Sequence, residues 1–301
     1  MTSPRAAIAM TVGAGALFAT GGTAQALGPA GTTPFTVAEM RLGIGGLIML
    51  LLLPLLGHHI RDVWRCLPHP LVWLLGVTSL AFQVLYFTGV SQAGVALGSL
   101  LAMGSVPVFA GLLGALFGHR ISSAWAVATA ICVGGLALLS LDGIQGGSAW
   151  GVLASLCGGL SGAIFVLITK VIIQRGIPPV PANVTAYLLA GLALVPVILL
   201  TPQNLSWIAT TGGIILALYL GFFAMAIPNV LWVKGLGILA PGPSSTLMLT
   251  EPAVATLLGI VVLGETLAMA GVVGLVLVMT GLLLQGLSLA RNRAEQPVIP
   301  R

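Results

Sequence analysis

Few side chains in this chain carry charge, and two of them stand where charge is costly. Glu251 lies near the middle of a long apolar stretch and is followed directly by Pro252. Arg41 lies inside another such stretch, two residues after Glu39. A charge at the centre of a membrane-spanning helix costs about 2.5–3.5 kcal/mol on insertion scales, so each needs a partner, a proton or an aqueous cavity. Pro252 removes one helical hydrogen bond and frees a carbonyl beside the carboxyl. Two readings of Glu251 follow: a site for a substrate amine or a proton, or a protonated or hydrogen-bonded carboxyl that ties helices together. Arg41 likewise either attracts a substrate carboxylate or pairs with an acid of another helix, Glu251 among them. Glu39 and Arg41 do not face each other at a spacing of two, so each needs its own surroundings.

Neutral groups add a second layer. Gln83 and Tyr86, spaced i and i+3, share one helix face. Tyr219 with Phe222 and Phe223 forms another cluster, and Asn229 follows Pro228. An aromatic cavity with a few polar groups suits an amphipathic small molecule; ordinary helix packing is the competing account of each ring. Other chemistries lack their residues. His58, His59 and His69 with Cys66 match no zinc spacing. No GxxxxGK[ST] phosphate loop is present. No Ser/His/Asp set or paired carboxylates can be assembled for catalysis, in or out of the membrane. Cys66, Cys132 and Cys157 are odd in number and give no disulfide framework. The sequence therefore calls for no cofactor, no metal and no enzyme.

The elements that hold these residues are read from composition. The chain is 58% hydrophobic and 6% charged, with a mean hydropathy of +1.13, against about 25% charged residues in a soluble domain. Ten stretches can each cross a bilayer, at about 6–27, 35–56, 70–90, 93–118, 122–141, 148–174, 180–200, 207–233, 241–263 and 266–289. With Met1 placed inside, Arg5, Arg61, Arg65, Arg120, Lys170, Arg175, Lys234, Arg291, Arg293 and Arg301 fall on or near the inner side, and Arg41 alone of the eleven basic residues lies well within a span. Cytoplasmic loops retain Lys and Arg. The expectation is a multi-pass protein of the cell inner membrane with both termini cytoplasmic. The net charge of +5 is then a topology signal facing anionic lipid, not a nucleic-acid footprint. Trp64, Trp73, Trp150 and Trp207 lie at span ends and read as interface anchors.

The chain also repeats itself. At an offset of 145, Met103, Pro107, Leu112, Leu113 and Gly114 fall on Met248, Pro252, Leu257, Leu258 and Gly259. At 147, Gly15, Ala16 and Phe18 fall on Gly162, Ala163 and Phe165. Each half holds five spans, so the second enters the membrane from the opposite side. The expected fold is all-α: ten transmembrane helices as two inverted five-helix repeats, residues 1–143 and 144–290, with a cytoplasmic tail at 291–301. Inverted repeats with broken helices place a substrate site between the repeats near the midplane. Spans four and nine are expected to be broken at their prolines. The pathway is expected among spans one, three, four, six, eight and nine, with five and ten at the periphery or in a homodimer contact.

Residues Pro107-Val108-Phe109-Ala110 through His119-Arg120, and Glu251-Pro252-Ala253-Val254 through Leu263-Gly264-Glu265, resemble the span ends of the EamA family of the drug/metabolite transporter superfamily. Arg41 resembles a recurrent arginine of that family's second span. His119-Arg120 stand where the family carries Gly-Glu. The resemblance implies a secondary, non-ATP transporter that exports amino acids or related small metabolites by alternating access. The residues that would meet the solute are Glu251, Tyr86, Gln83, Tyr219, Phe222, Asn229 and Arg41. The alternative is a small-multidrug pump for quaternary cations, with Glu251 as cation or proton site. Its partners are then a small-molecule substrate and the lipid bilayer.

Overall fold

A computed structural model describes residues 3–141, 148–200, 205–264 and 266–291. The segment around Asp142, the residue Glu265 and the tail beyond Arg291 lie outside these. Among the described residues there is no strand, and ten helices are long and apolar enough to cross a membrane: Pro4–Ala26, Phe35–Leu56, Pro70–Ala93, Ala96–Leu116, Ser123–Ser140, Ala149–Gln174, Pro179–Leu200, Thr211–Leu236, Pro241–Leu263 and Met269–Arg291. These are spans one to ten. The outside of the bundle is apolar: Leu55 is 83% and Leu200 is 85% exposed, as expected where lipid replaces water. The chain is a multi-pass membrane protein.

Local chemistry sets the helix ends. Ser3, Ser122, Ser148 and Thr210 each accept a hydrogen bond from a backbone amide of the first turn that follows, at 3.1–3.2 Å. Thr33 and Thr36 close a reciprocal capping box. Spans three and four meet at Gly94, whose φ of 86° a side chain would resist.

The two halves pack alike. Span six lies against spans three and four, and span one lies against spans eight and nine. Spans five and ten pack on each other through Gly135 and Gly274; a methyl group on either would press on the other's carbonyl oxygen at 2.5–2.6 Å.

Two elements depart from the sequence expectations, span four and Trp207. Span four is one continuous helix, Val95–Leu116, running through Pro107. Span nine alone of this pair is broken, into Pro241–Leu247 and Thr250–Leu263. Pro252 cannot donate to the Met248 carbonyl; instead the Glu251 amide takes it at 2.9 Å, and the Leu249 amide bonds Thr246 at 3.1 Å. Trp207 is no interface anchor. It is 4% exposed, packed with Val37, Met40 and Leu216, whereas Trp64, Trp73 and Trp150 are exposed. Spans two and eight also each contain one π-helical turn, Met40–Ile44 and Phe222–Ala226, and the two turns touch. Such turns widen a helix locally and often mark functional positions.

Candidate functional site

A cavity of about 250 Å³ lies at the centre of the bundle. It draws on the six spans expected and also on spans two and seven. Spans five and ten contribute none of its lining.

Positions along the helices divide the cavity in two. One half lies away from the end of the bundle that carries residues 57–69. Here Arg41 projects from the π-helical turn of span two, and its guanidinium carbon sits 5.5 Å from the centre of the Phe18 ring, a cation–π distance. Gln83, Tyr86 and Phe87 of span three complete this wall, with Tyr86 stacked on Phe82 at 5.9 Å. Glu251 enters from span nine at the level of the break. The break is why it can: Glu251 occupies the first turn of Thr250–Leu263, where the positive end of the helix dipole favours an anion. Gly15 of span one makes room for it. A methyl there would lie 3.1 Å from Thr250 Cβ and 3.2 Å from the Glu251 amide nitrogen.

Arg41 and Glu251 face one cavity without joining. The ion pairs among the described residues are His58–Asp62 at 4.0 Å and Arg65–Asp62 at 3.4 Å. Arg41 Nε is buried with no hydrogen-bond partner. The reading of Arg41 as a structural partner of Glu251 is thus not what the geometry contains. Glu39 lies off the cavity. Its carboxylate packs over Gly43 and toward Gly191 of span seven.

The other half is neutral. Phe165 stacks on Tyr187 at 5.9 Å and on Trp232 at 5.7 Å. Asn229, 1% exposed, donates from Nδ2 to the Tyr187 hydroxyl. Ser79 and Ser245 add hydroxyls. Beyond this layer Lys170 of span six closes the bundle. Its ammonium donates to the carbonyls of Leu236 at 2.7 Å and Leu239 at 2.8 Å, where span eight ends.

Of the residues named from sequence, Glu251, Tyr86, Gln83, Asn229 and Arg41 come together. Tyr219 and Phe222 do not line the cavity. They group with Phe223, 44% exposed, on the outside of span eight; the π-helical turn at Phe222–Ala226 rotates Met225 into the cavity in their place. Sequence reasoning missed Phe165, Tyr187, Trp232 and Ser245. The Phe18/Phe165 match between repeats held a signal for one of them, since both rings line the cavity.

Outside the spans, Asp62 accepts from the His59 amide at 2.9 Å, which holds its carboxyl below the usual range, with help from Arg65. Among the described residues no group of three or more His, Cys, Asp or Glu could hold a metal ion.

The EamA-like transporter family matches the chain twice, over residues 5–141 and 149–287. An uncharacterized transporter of Bacillus subtilis, YwfM, is 36% identical over 267 residues, 88% of each chain. An uncharacterized inner membrane transporter of Escherichia coli, YedA, is 25% identical and covers 78% of this chain and 76% of its own. An uncharacterized transporter of Archaeoglobus fulgidus is 28% identical over 77% of this chain and 81% of its own. A solved crystal structure superposes with a TM-score of 0.80 at 19% identity, over 96% of this chain and 99% of the other; that likeness concerns the fold.

Proposed function

The chain belongs to the EamA-like transporter family, and we propose that its cargo is a small zwitterion, an amino acid or related metabolite, exported by alternating access through the central cavity. One observation carries this reading: Arg41 and Glu251, of opposite charge, line one cavity and are not paired with each other. A zwitterion supplies a carboxylate for the first and an amine for the second. The cavity of about 250 Å³ falls just below the range of about 300–1,000 Å³ typical of drug-sized ligands, which favours a small metabolite. The stacked rings also suit a hydrophobic cation, the alternative reading, but Arg41 in the same cavity repels one.

Counterflow in proteoliposomes tests the proposal with an amino-acid panel, a quaternary ammonium set, and runs with and without a pH gradient. Counterflow of amino acids and none of the cations is expected; the reverse pattern overturns the reading. Orientation belongs to the same proposal: both termini and residues 57–69 face the cytoplasm. Arg61→Cys should then resist a membrane-impermeant maleimide added outside intact cells, and labelling from outside contradicts it. Native Cys66 adds little background, because burial, and secondarily the Asp62 charge, pushes its thiol up to about 11.

A further inference from the structure

We propose that the neutral end of the cavity is a second subsite, in which Asn229 and Ser245 receive an O–H or N–H donor on the uncharged end of the cargo. The inference rests on the reading of the cargo as a zwitterion and adds what that cargo carries at its other end. Asn229 is 1% and Ser245 3% exposed, and both line the cavity. The amide of Asn229 is already half used, since its Nδ2 donates to Tyr187. Its Oδ1 remains buried with no hydrogen-bond partner, and so does the hydroxyl of Ser245. Buried polar atoms left without a partner cost about 1–3 kcal/mol each, and two among the residues lining one cavity mark where a ligand group belongs. The vacant atom of Asn229 is an acceptor, so the group it takes must be a donor.

Spacing narrows the cargo. Ser245 and Glu251 lie on the two segments of span nine, on opposite sides of its break. A donor directly on Cβ, as in serine, sits beside the charged end of the cargo and has little reach toward the neutral end. A donor several bonds further, on a tyrosine ring or a glutamine amide, reaches further. The stacked Phe165, Tyr187 and Trp232 rings give this end flat walls that accept a planar group.

The test is counterflow by the full-length protein in liposomes with two matched pairs: tyrosine against phenylalanine, and glutamine against methionine. Wild type is expected to prefer the donor-bearing member of a pair by about tenfold, and Asn229→Leu and Ser245→Ala each to erase most of that preference. Tyr187→Phe, which leaves the Asn229 amide free to turn, serves as the milder variant if Asn229→Leu does not fold. Transport of both members without preference overturns the subsite, as does a preference that survives the variants; a trapped water at Asn229 and Ser245 would give the first result. If wild type carries no member of either pair or any other zwitterion, the proposed function fails and the subsite fails with it.

Discussion

Spans four and nine are the same element used twice, and only one of them is broken. Each places a proline at the matched position, Pro107 and Pro252, and each meets a glycine of a partner span, Gly162 of span six and Gly15 of span one. Opposite Gly162 lie the side-chain tips of Val106 and Phe82; opposite Gly15 lie the backbone of Glu251 and the β-carbon of Thr250. Span four runs on through its proline, whereas span nine breaks and presents a carboxyl at a helix start. The proline alone therefore does not break a span. The difference lies in what precedes it: apolar Val106 packs within a continuous helix, while Glu251 stands in the first turn of a new one, where the positive end of the helix dipole favours an anion. Repeat symmetry supplies the frame, and its local loss supplies the chemistry.

The comparison is sharpened first by charge. Glu251→Gln should lower zwitterion counterflow by about 30-fold or more, as expected when one member of a buried charge contact is removed, with expression and melting retained. Val106→Leu, at the matched position, should change it by less than about threefold, since an apolar side chain replaces another. Equal losses in both would mean that the site is shared evenly by the halves.

Removing the prolines comes next. Pro252→Ala restores an amide that can reach the Met248 carbonyl and should heal span nine, since Pro is about 3 kcal/mol less favourable than Ala in a helix. Counterflow should drop about tenfold, equivalent to 1.4 kcal/mol, while the melting temperature rises. Pro107→Ala should raise the melting temperature with counterflow little changed. A Pro252→Ala protein with full counterflow would separate the break from function.

The smallest effect concerns the two glycines. A methyl on Gly15 meets the Glu251 backbone nitrogen at 3.2 Å, and one on Gly162 meets the tips of Phe82 and Val106 at 3.1–3.2 Å. Side-chain tips yield more readily than backbone. Gly15→Ala should thus be less stable than Gly162→Ala by about 1 kcal/mol, the low end of overpacking costs, as read from paired thermal melts in one detergent.

Much of this was legible in the chain. The ten spans follow from hydropathy, because lipid forces each crossing to satisfy its own backbone. Glu251 followed by Pro252 marked both a cost and a break. Arg41, Gln83, Tyr86 and Asn229 also line the cavity, since polar groups at mid-span have few places to go. What stayed hidden was rotation about helix axes. The π-helical turns in spans two and eight shift the faces that follow them, which turns Met225 inward and leaves Tyr219 and Phe222 outside. Tyr187 and Trp232 stand near Asn183 and Asn229, four and three residues before them, but a ring by itself does not say which face meets a cavity. Trp207 looked like an anchor because span-end tryptophans usually are; here neighbouring helices cover it.

The central claim is that Arg41 and Glu251 are held apart for the two charges of one solute. Counterflow of one transported amino acid, its N-acetyl derivative and its methyl ester, measured side by side in wild type and in Glu251→Gln, tests it most directly. Wild type should carry the zwitterion well and both derivatives poorly, and Glu251→Gln should no longer distinguish the amino acid from its N-acetyl derivative while still rejecting the ester. Equal transport of all three by wild type, or unchanged rejection of the N-acetyl derivative by Glu251→Gln, would contradict the account.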